Sequence, residues 1–171
     1  MGLVKTIQSS RRIPGDATSA ALLLSGPRAL DLWPGLHQVH TAPGRYAALS
    51  PVGDDPLAPV VVRADPPQRT ATAYLTRFHV TGNRLPQASG QLRVRSSWHA
   101  GQPGTDVEVS IAGDGWGPAL HQQMSTAVEG FLDNLAHATG GNSTSHPTPA
   151  RSPRVYSPTT LQSAAGFASS I

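Results

Sequence analysis

A single stripe of apolar side chains late in the chain constrains the fold more than any other feature. Leu120, Met124, Ala127, Val128, Phe131, Leu135 and Ala138 recur at steps of four, three, one, three, four and three, the period of one helix face. Pro118 suits the first helical position and Gly140 a helix stop. Gln122, Gln123, Thr126, Glu129 and Asp133 fall on the polar side. A helix over 118–138 with one apolar face has to bury it against a second layer.

The chain before it offers mainly short, strand-like segments for that layer. Residues 3–13 end at Pro14-Gly15; 36–41 and 45–50 flank Pro43-Gly44, a pair suited to the centre of a type II turn; 59–64 runs into Asp65-Pro66-Pro67. Residues 70–81 place Tyr74, Thr76, Phe78 and Val80 on one face and Arg77 and His79 on the other. Residues 90–99 set Leu92, Val94, Ser96 and Trp98 against Arg93, Arg95 and His99, and 105–112 set Val107, Val109 and Ile111 against Asp106, Glu108 and Ser110. After the first strand, Asp16 or Thr18 can cap a helix reaching Leu24, Gly26-Pro27 breaks it, and a second helical turn over 28–32 ends at Trp33-Pro34-Gly35.

Composition narrows the chemistry. The 171 residues include no Cys, which removes disulfides, thiolate metal sites and Cys nucleophiles. Of thirteen Lys and Arg, Arg151 and Arg154 lie beyond residue 138, leaving eleven bases against ten acids. That balance provides no footprint for nucleic acid. There is no His-Glu-x-x-His, no Gly-x-Ser-x-Gly and no phosphate loop, because Gly113, Gly115 and Gly117 are not followed by Lys-Ser/Thr. No metal and no cofactor are therefore expected, and the glycine run reads as a turn that lays Trp116 over one end of the core. No window approaches the roughly 18 apolar residues of a membrane span, and the start lacks a secretion signal, so the expected location is cytoplasmic. Residues 139–171, rich in Ser, Pro and Gly, are expected to be a disordered tail with at most a short helix at 160–168.

Strand, helical pair, six strands and one long helix is a recognisable order. With Trp33-Pro34-Gly35-Leu36 after the helical pair, Gly104-Thr105-Asp106-Val107-Glu108-Val109 as a strand, and Gly117-Pro118-Ala119-Leu120 opening the last helix, the chain resembles the SRPBCC, or START-like, helix-grip superfamily. That superfamily includes lipid-transfer domains, polyketide cyclases and plant pathogenesis-related allergens. The resemblance implies an α+β fold over residues 1–138, with a curved antiparallel sheet of about seven strands wrapped around the long C-terminal helix. It also implies a cavity between helix and sheet for an apolar or aromatic molecule. A cone-shaped fold like that of ketosteroid isomerase is the rival, but such chains usually begin with longer helices than 16–24 provides.

Alternation names the wall of such a cavity. Tyr74, Thr76, Phe78, Ser96 and Trp98 should face the helix, Met124 and Phe131 should face them from it, and Trp33 and Tyr46 should close the mouth. These nine residues are the expected ligand-binding set, in which hydroxyls on an apolar wall give the mix of small-molecule sites. The opposite face, with Arg77, His79, Arg93, Arg95 and His99, is expected to be solvated and partly neutralised by Asp106 and Glu108. Binding or transport of a small hydrophobic or aromatic ligand is the leading functional expectation. A polyketide cyclase or dehydratase, with Tyr74 as its acid, is the alternative. The bland reading is a filled core whose hydroxyls bond to backbone, leaving the outer face or tail to meet a protein. A connected cavity on the order of several hundred Å3 separates the first two from the third.

Overall fold

The computed structural model describes residues 3–144. The elements run β1 (Val4–Ile13), α1 (Ala17–Ser25), α2 (Arg28–Asp31), β2 (His37–Ala42), β3 (Arg45–Val52), β4 (Asp55–Ala64), β5 (Gln68–Arg69), β6 (Tyr74–Gly82), β7 (Ala88–His99), β8 (Gln102–Asp114) and α3 (Pro118–Thr144). One antiparallel sheet carries the order β1-β8-β7-β6-β4-β3-β2, with the two-residue β5 paired to β6. With the long α3 and the helical pair after β1, this is the helix-grip arrangement. The strand count is eight, and β5 is the extra one.

Local chemistry explains most boundaries. Asp16, not Thr18, is the N-cap of α1: its carboxylate accepts from the Ser19 N–H at 3.1 Å, and the Ser19 side chain first, with this backbone bond second, holds the Asp16 carboxyl below its ordinary pKa. Gly44 adopts φ +72°, as the third residue of a type II turn requires. The expected strand 70–81 begins only at Tyr74, because the Thr70 hydroxyl donates to the Ala73 carbonyl and accepts from the Ala73 N–H, tying off a turn between β5 and β6. β4 starts four residues before the expected Pro59; that added stretch pairs only with β3, since pairing with β6 begins at Val60, and a strand flanked on one side tolerates proline. α3 continues through Gly140 to Thr144. The short helix expected at 160–168 lies outside the described residues. No helix among the described residues is long and apolar enough to cross a membrane.

The space between α3 and the sheet is unevenly filled. Towards one end Ile13, Val107, Val128, Leu132 and Leu135 are essentially sealed, joined by Ala17 and Ala20 of α1. Leu132 and Leu135 alone, as fully buried leucines, contribute roughly 1.5–3 kcal/mol each. A second cluster of Ala48, Val52, Ala58, Val60 and Leu85 lies under β3 and β4.

Polar ties fasten the helix along its flanks. The Gln123 amide brackets Gly53 in the β3–β4 turn, accepting from its N–H at 2.7 Å and donating to its carbonyl at 3.2 Å. Asn134 donates to the Leu32 carbonyl at 2.8 Å. Ser9 and Arg11 of β1 bond to Glu129, and Arg11 also pairs with Asp133. Glu129 and Asp133 are exposed, as the helical pattern expects, but they act as a strap to the edge strand.

Candidate functional site

Between the first half of α3 and strands β3, β4, β6, β7 and β8 lies a cavity of about 110 Å3. It is smaller than the several hundred Å3 expected. The floor comes from the inward residues of the strands: Tyr46, Ser50 and Val52 on β3, Val60 and Val62 on β4, Thr76, Phe78 and Val80 on β6, Ala88 and Leu92 on β7, Val109 and Ile111 on β8. Met124 and Phe131 of α3 form the roof. Trp33 packs its ring against Phe131 at 5.8 Å between centroids, with the planes tilted by 46°, a favourable aromatic geometry. Ser25, Gly26, Ala29, Leu30 and Leu36 line the same space and are only half-buried, which sets the mouth at the α1–α2 junction.

The wall contains no Asp, Glu, His, Lys or Arg. Its polar groups are few. Ser50 and Thr76 are buried at 5 % and 8 % exposure, Tyr46 at 8 %, and their hydroxyls enter no side-chain hydrogen bond among the described residues. Trp116, 3 % exposed, has an indole N–H without a partner. The expectation that core hydroxyls bond to backbone is therefore not met here. The indole N–H is sealed against the protein and does not open to the cavity, so what the arrangement provides is an apolar volume walled in part by the unengaged hydroxyls of Tyr46, Ser50 and Thr76.

Of the nine expected residues the structure brings Trp33, Tyr46, Thr76, Phe78, Met124 and Phe131 to this cavity. Tyr74, Ser96 and Trp98 do not line it. β6 begins at Tyr74, opposite Val94, so beyond Val94 the β7–β8 ribbon has lost its β6 neighbour and the wall ends. Ser96 is exposed and Trp98 is 74 % exposed on that ribbon. Tyr74 is half-buried under α1, with its hydroxyl 3.2 Å from Thr18 Oγ1 and the Arg69 guanidinium 5.8 Å from its ring centroid. As the proposed acid it is misplaced; Tyr46 is the one titratable group on the wall.

The outer face follows the alternation. Arg93 and Arg95 are exposed, and Arg95 lies 3.7 Å from Asp106 across the β7–β8 ladder. Trp116 does cover one end of the cavity, as the glycine run suggests. Gly115 turns at φ +72°, and the indole folds back onto Gly113, where an added Cβ would stand 1.9 Å from its Cε2.

No protein-family model matches this chain, and no curated protein matches it by sequence. Solved structures of the same fold do. XoxI from Bacillus cereus superposes with a TM-score of 0.62 at 13 % identity, over 82 % of this chain and 99 % of that one. Norcoclaurine synthase from Thalictrum, a point mutant in complex with a transition-state analogue, gives 0.57 at 12 % identity, over 84 % and 99 %. The protein Ara h 8.0201 gives 0.55 at 16 % identity, over 82 % and 100 %. At such identities the likeness is one of fold.

Proposed function

We propose that this protein binds a small, uncharged, apolar or aromatic molecule between α3 and the sheet, as expected of an SRPBCC-type binding or carrier domain. The observation that carries the reading is an apolar cavity whose hydroxyls are left without protein partners. An engineered apolar cavity of about 150 Å3 admits benzene, so about 110 Å3 suits a compact ligand of about one ring in the closed state. The fold is compatible with this use, since the norcoclaurine synthase of similar fold was solved in complex with a transition-state analogue.

Turnover has less support. Acid–base catalysis needs a positioned group of suitable pKa, and the wall offers Tyr46 alone. A cyclase acting here would work mainly by holding a reactive chain in shape. The filled-core reading is opposed by the cavity itself.

The test is native mass spectrometry of protein purified from its source cells, paired with NMR titration of the Met124 methyl group by ethylbenzene. A released apolar passenger, or saturable movement of that methyl, is expected. A clean apo mass together with a Met124 signal indifferent to ethylbenzene refutes the proposal.

A further inference from the structure

The near balance of charge along the chain conceals a segregation across the sheet. Strand register and alternation put Arg12, Arg45, Arg63, Arg77, Arg93 and Arg95 on the face turned away from α3, and all six are exposed. Asp16, Asp31, Glu129 and Asp133 belong instead to the helical side. The acids left on the outer face are unevenly placed. Asp106 and Glu108 lie on β8, opposite Arg95 and Arg93, with Arg12 beside Asp106 from β1. Arg63 on β4 is three strands from β8, roughly 14 Å at about 4.8 Å per strand, well beyond a Debye length of about 8 Å.

At the β3–β4–β6 end the cations are crowded. Arg45 stands directly opposite Arg63, Arg63 directly opposite His79, and Arg77 follows two residues away on β6. Such partners have Cβ atoms about 4.5–5.5 Å apart, where like charges destabilise a sheet. Asp65, two residues after Arg63, is the acid nearest to them in register, its N–H bonded to the Arg77 carbonyl. Arg45, Arg63, Arg77 and Arg93 nevertheless make no ion pair and no side-chain hydrogen bond among the described residues. A bulge extends the patch to the edge strand. Gln38 and His40 pair with the neighbours Ala48 and Ala47, so Val39 is an extra residue. His37 and His40, which a regular strand would send to opposite faces, therefore both turn outward.

We propose that the outer face of β2, β3, β4 and β6, centred on Arg45, Arg63 and Arg77, docks against an anionic phospholipid bilayer. The surface lacks what other polyanionic or protein partners use. No Phe, Tyr or Trp of these strands points outward, so a protein partner has no aromatic anchor and single-stranded nucleic acid no stacking platform. No helix or ribbon stands on this face to enter a groove of duplex DNA. The β2 bulge blunts the edge against an added strand. A negatively charged lipid surface needs only an accessible spread of cations, each contributing through its proximity to the headgroups. This inference is independent of the cavity reading.

The experiment is co-sedimentation of the full chain with phosphatidylcholine vesicles, with and without phosphatidylserine, at low and high salt. Binding is expected with phosphatidylserine alone and is expected to be lost at high salt. The triple variant R45Q/R63Q/R77Q should bind roughly 100-fold more weakly, at about fivefold for each arginine near the surface. The charge-matched control K5Q/R28Q/R84Q, whose cations lie off this patch, should bind as the unaltered chain does. Failure of the unaltered chain to bind phosphatidylserine vesicles at low salt overturns the proposal, and this readout requires no variant. Equal weakening in the two folded triples overturns it as well, since net charge and not this face would then be responsible. Salt-resistant binding to phosphatidylcholine alone would also refute it. If the unaltered chain retains a DNA duplex through Arg45, Arg63 and Arg77 but ignores the vesicles, the face serves nucleic acid and the bilayer proposal falls.

Discussion

Replacing Thr76 by Val tests whether the cavity wall is built for a ligand or for the fold. The two side chains have the same shape and both favour strands, so Thr76→Val exchanges a hydroxyl for a methyl with little change in packing. In the structure that hydroxyl is on a residue 8 % exposed and has no protein partner among the described residues. A hydroxyl sealed from water without a partner would cost about 1–3 kcal/mol, but the sealed unpartnered side-chain atoms among the described residues are Trp116 Nε1 and His121 Nδ1, and Thr76 lines the cavity. Part of that cost is offset by water, because a cavity of about 110 Å3 has room for several molecules when one needs roughly 10–15 Å3. Thr76→Val should therefore leave the ligand-free protein unchanged or stabilise it by up to about 2 kcal/mol, with about 2–4 °C in Tm for each kcal/mol. The assay is urea and thermal unfolding of ligand-free protein, with an unchanged m-value as the check that the denatured state is unaltered. Had the hydroxyl been bonded to backbone, the same change would cost about 0.5–1.5 kcal/mol and more for the orphaned partner. A loss of 1 kcal/mol or greater refutes the reasoning, and with it the claim that this wall holds unengaged polar groups.

Other perturbations probe the parts that frame the cavity. Leu132→Ala, at the sealed end where Leu132 is 0 % exposed, should cost about 2–5 kcal/mol, read as a fall in the urea midpoint; a cost under 1 kcal/mol would mean that this end is not closely filled. Arg11→Gln removes the strap to Glu129 and Asp133, but these side chains are substantially exposed, so the loss should stay below about 1 kcal/mol and shrink in high salt. The Asp16 carboxyl is held below its ordinary value of 3.8 by its bonds to Ser19, so its contribution to α1 is complete above that value and fades as pH falls through the lower folded value. Protection of the Ser19 amide, taken relative to its intrinsic exchange rate at each pH, should fall in that acid window in the native protein and be already low at neutral pH in Asp16→Ala; identical protection in both proteins would contradict the capping role.

Much of this arrangement was legible in the residues, and the failures share a cause. The α3 stripe and the three C-terminal strands were readable because each buries one face. Alternation tells which way a side chain points, but not where the neighbouring strand stops, so it places Ser96 and Trp98 on a wall that ends near Val94. Leu132 escaped the stripe because α3 is covered on more than one side. Besides the sheet it meets the helical pair, where Asn134 bonds to Leu32 and an added Cβ on Gly130 would stand 2.7 Å from Pro34 Cγ, so its buried arc is wider than one seam. The contribution of β3 and β4 was hidden in the run Val60-Val61-Val62, where an unbroken apolar stretch erases parity. The signal was there in Tyr46, Ala48, Ser50 and Val52, every second residue of β3, all of them buried.

The uneven filling of the interior is itself an argument about function. Leucine and valine seal the space under one part of α3, while the strands under the other supply Ala88, Ser50 and Thr76 to the wall, short side chains where longer apolar ones would close the gap. Closing it would recover stability at about 24 cal/mol per Å3, or roughly 2.6 kcal/mol for about 110 Å3, a sizeable share of a domain's typical 5–15 kcal/mol. Ser50 and Thr76 forgo that gain, placing hydroxyls on the wall where apolar groups would close it. Both the unfilled volume and the unengaged hydroxyls are a local disadvantage to the empty protein, and a compact neutral ligand with one polar group would offset the two at once.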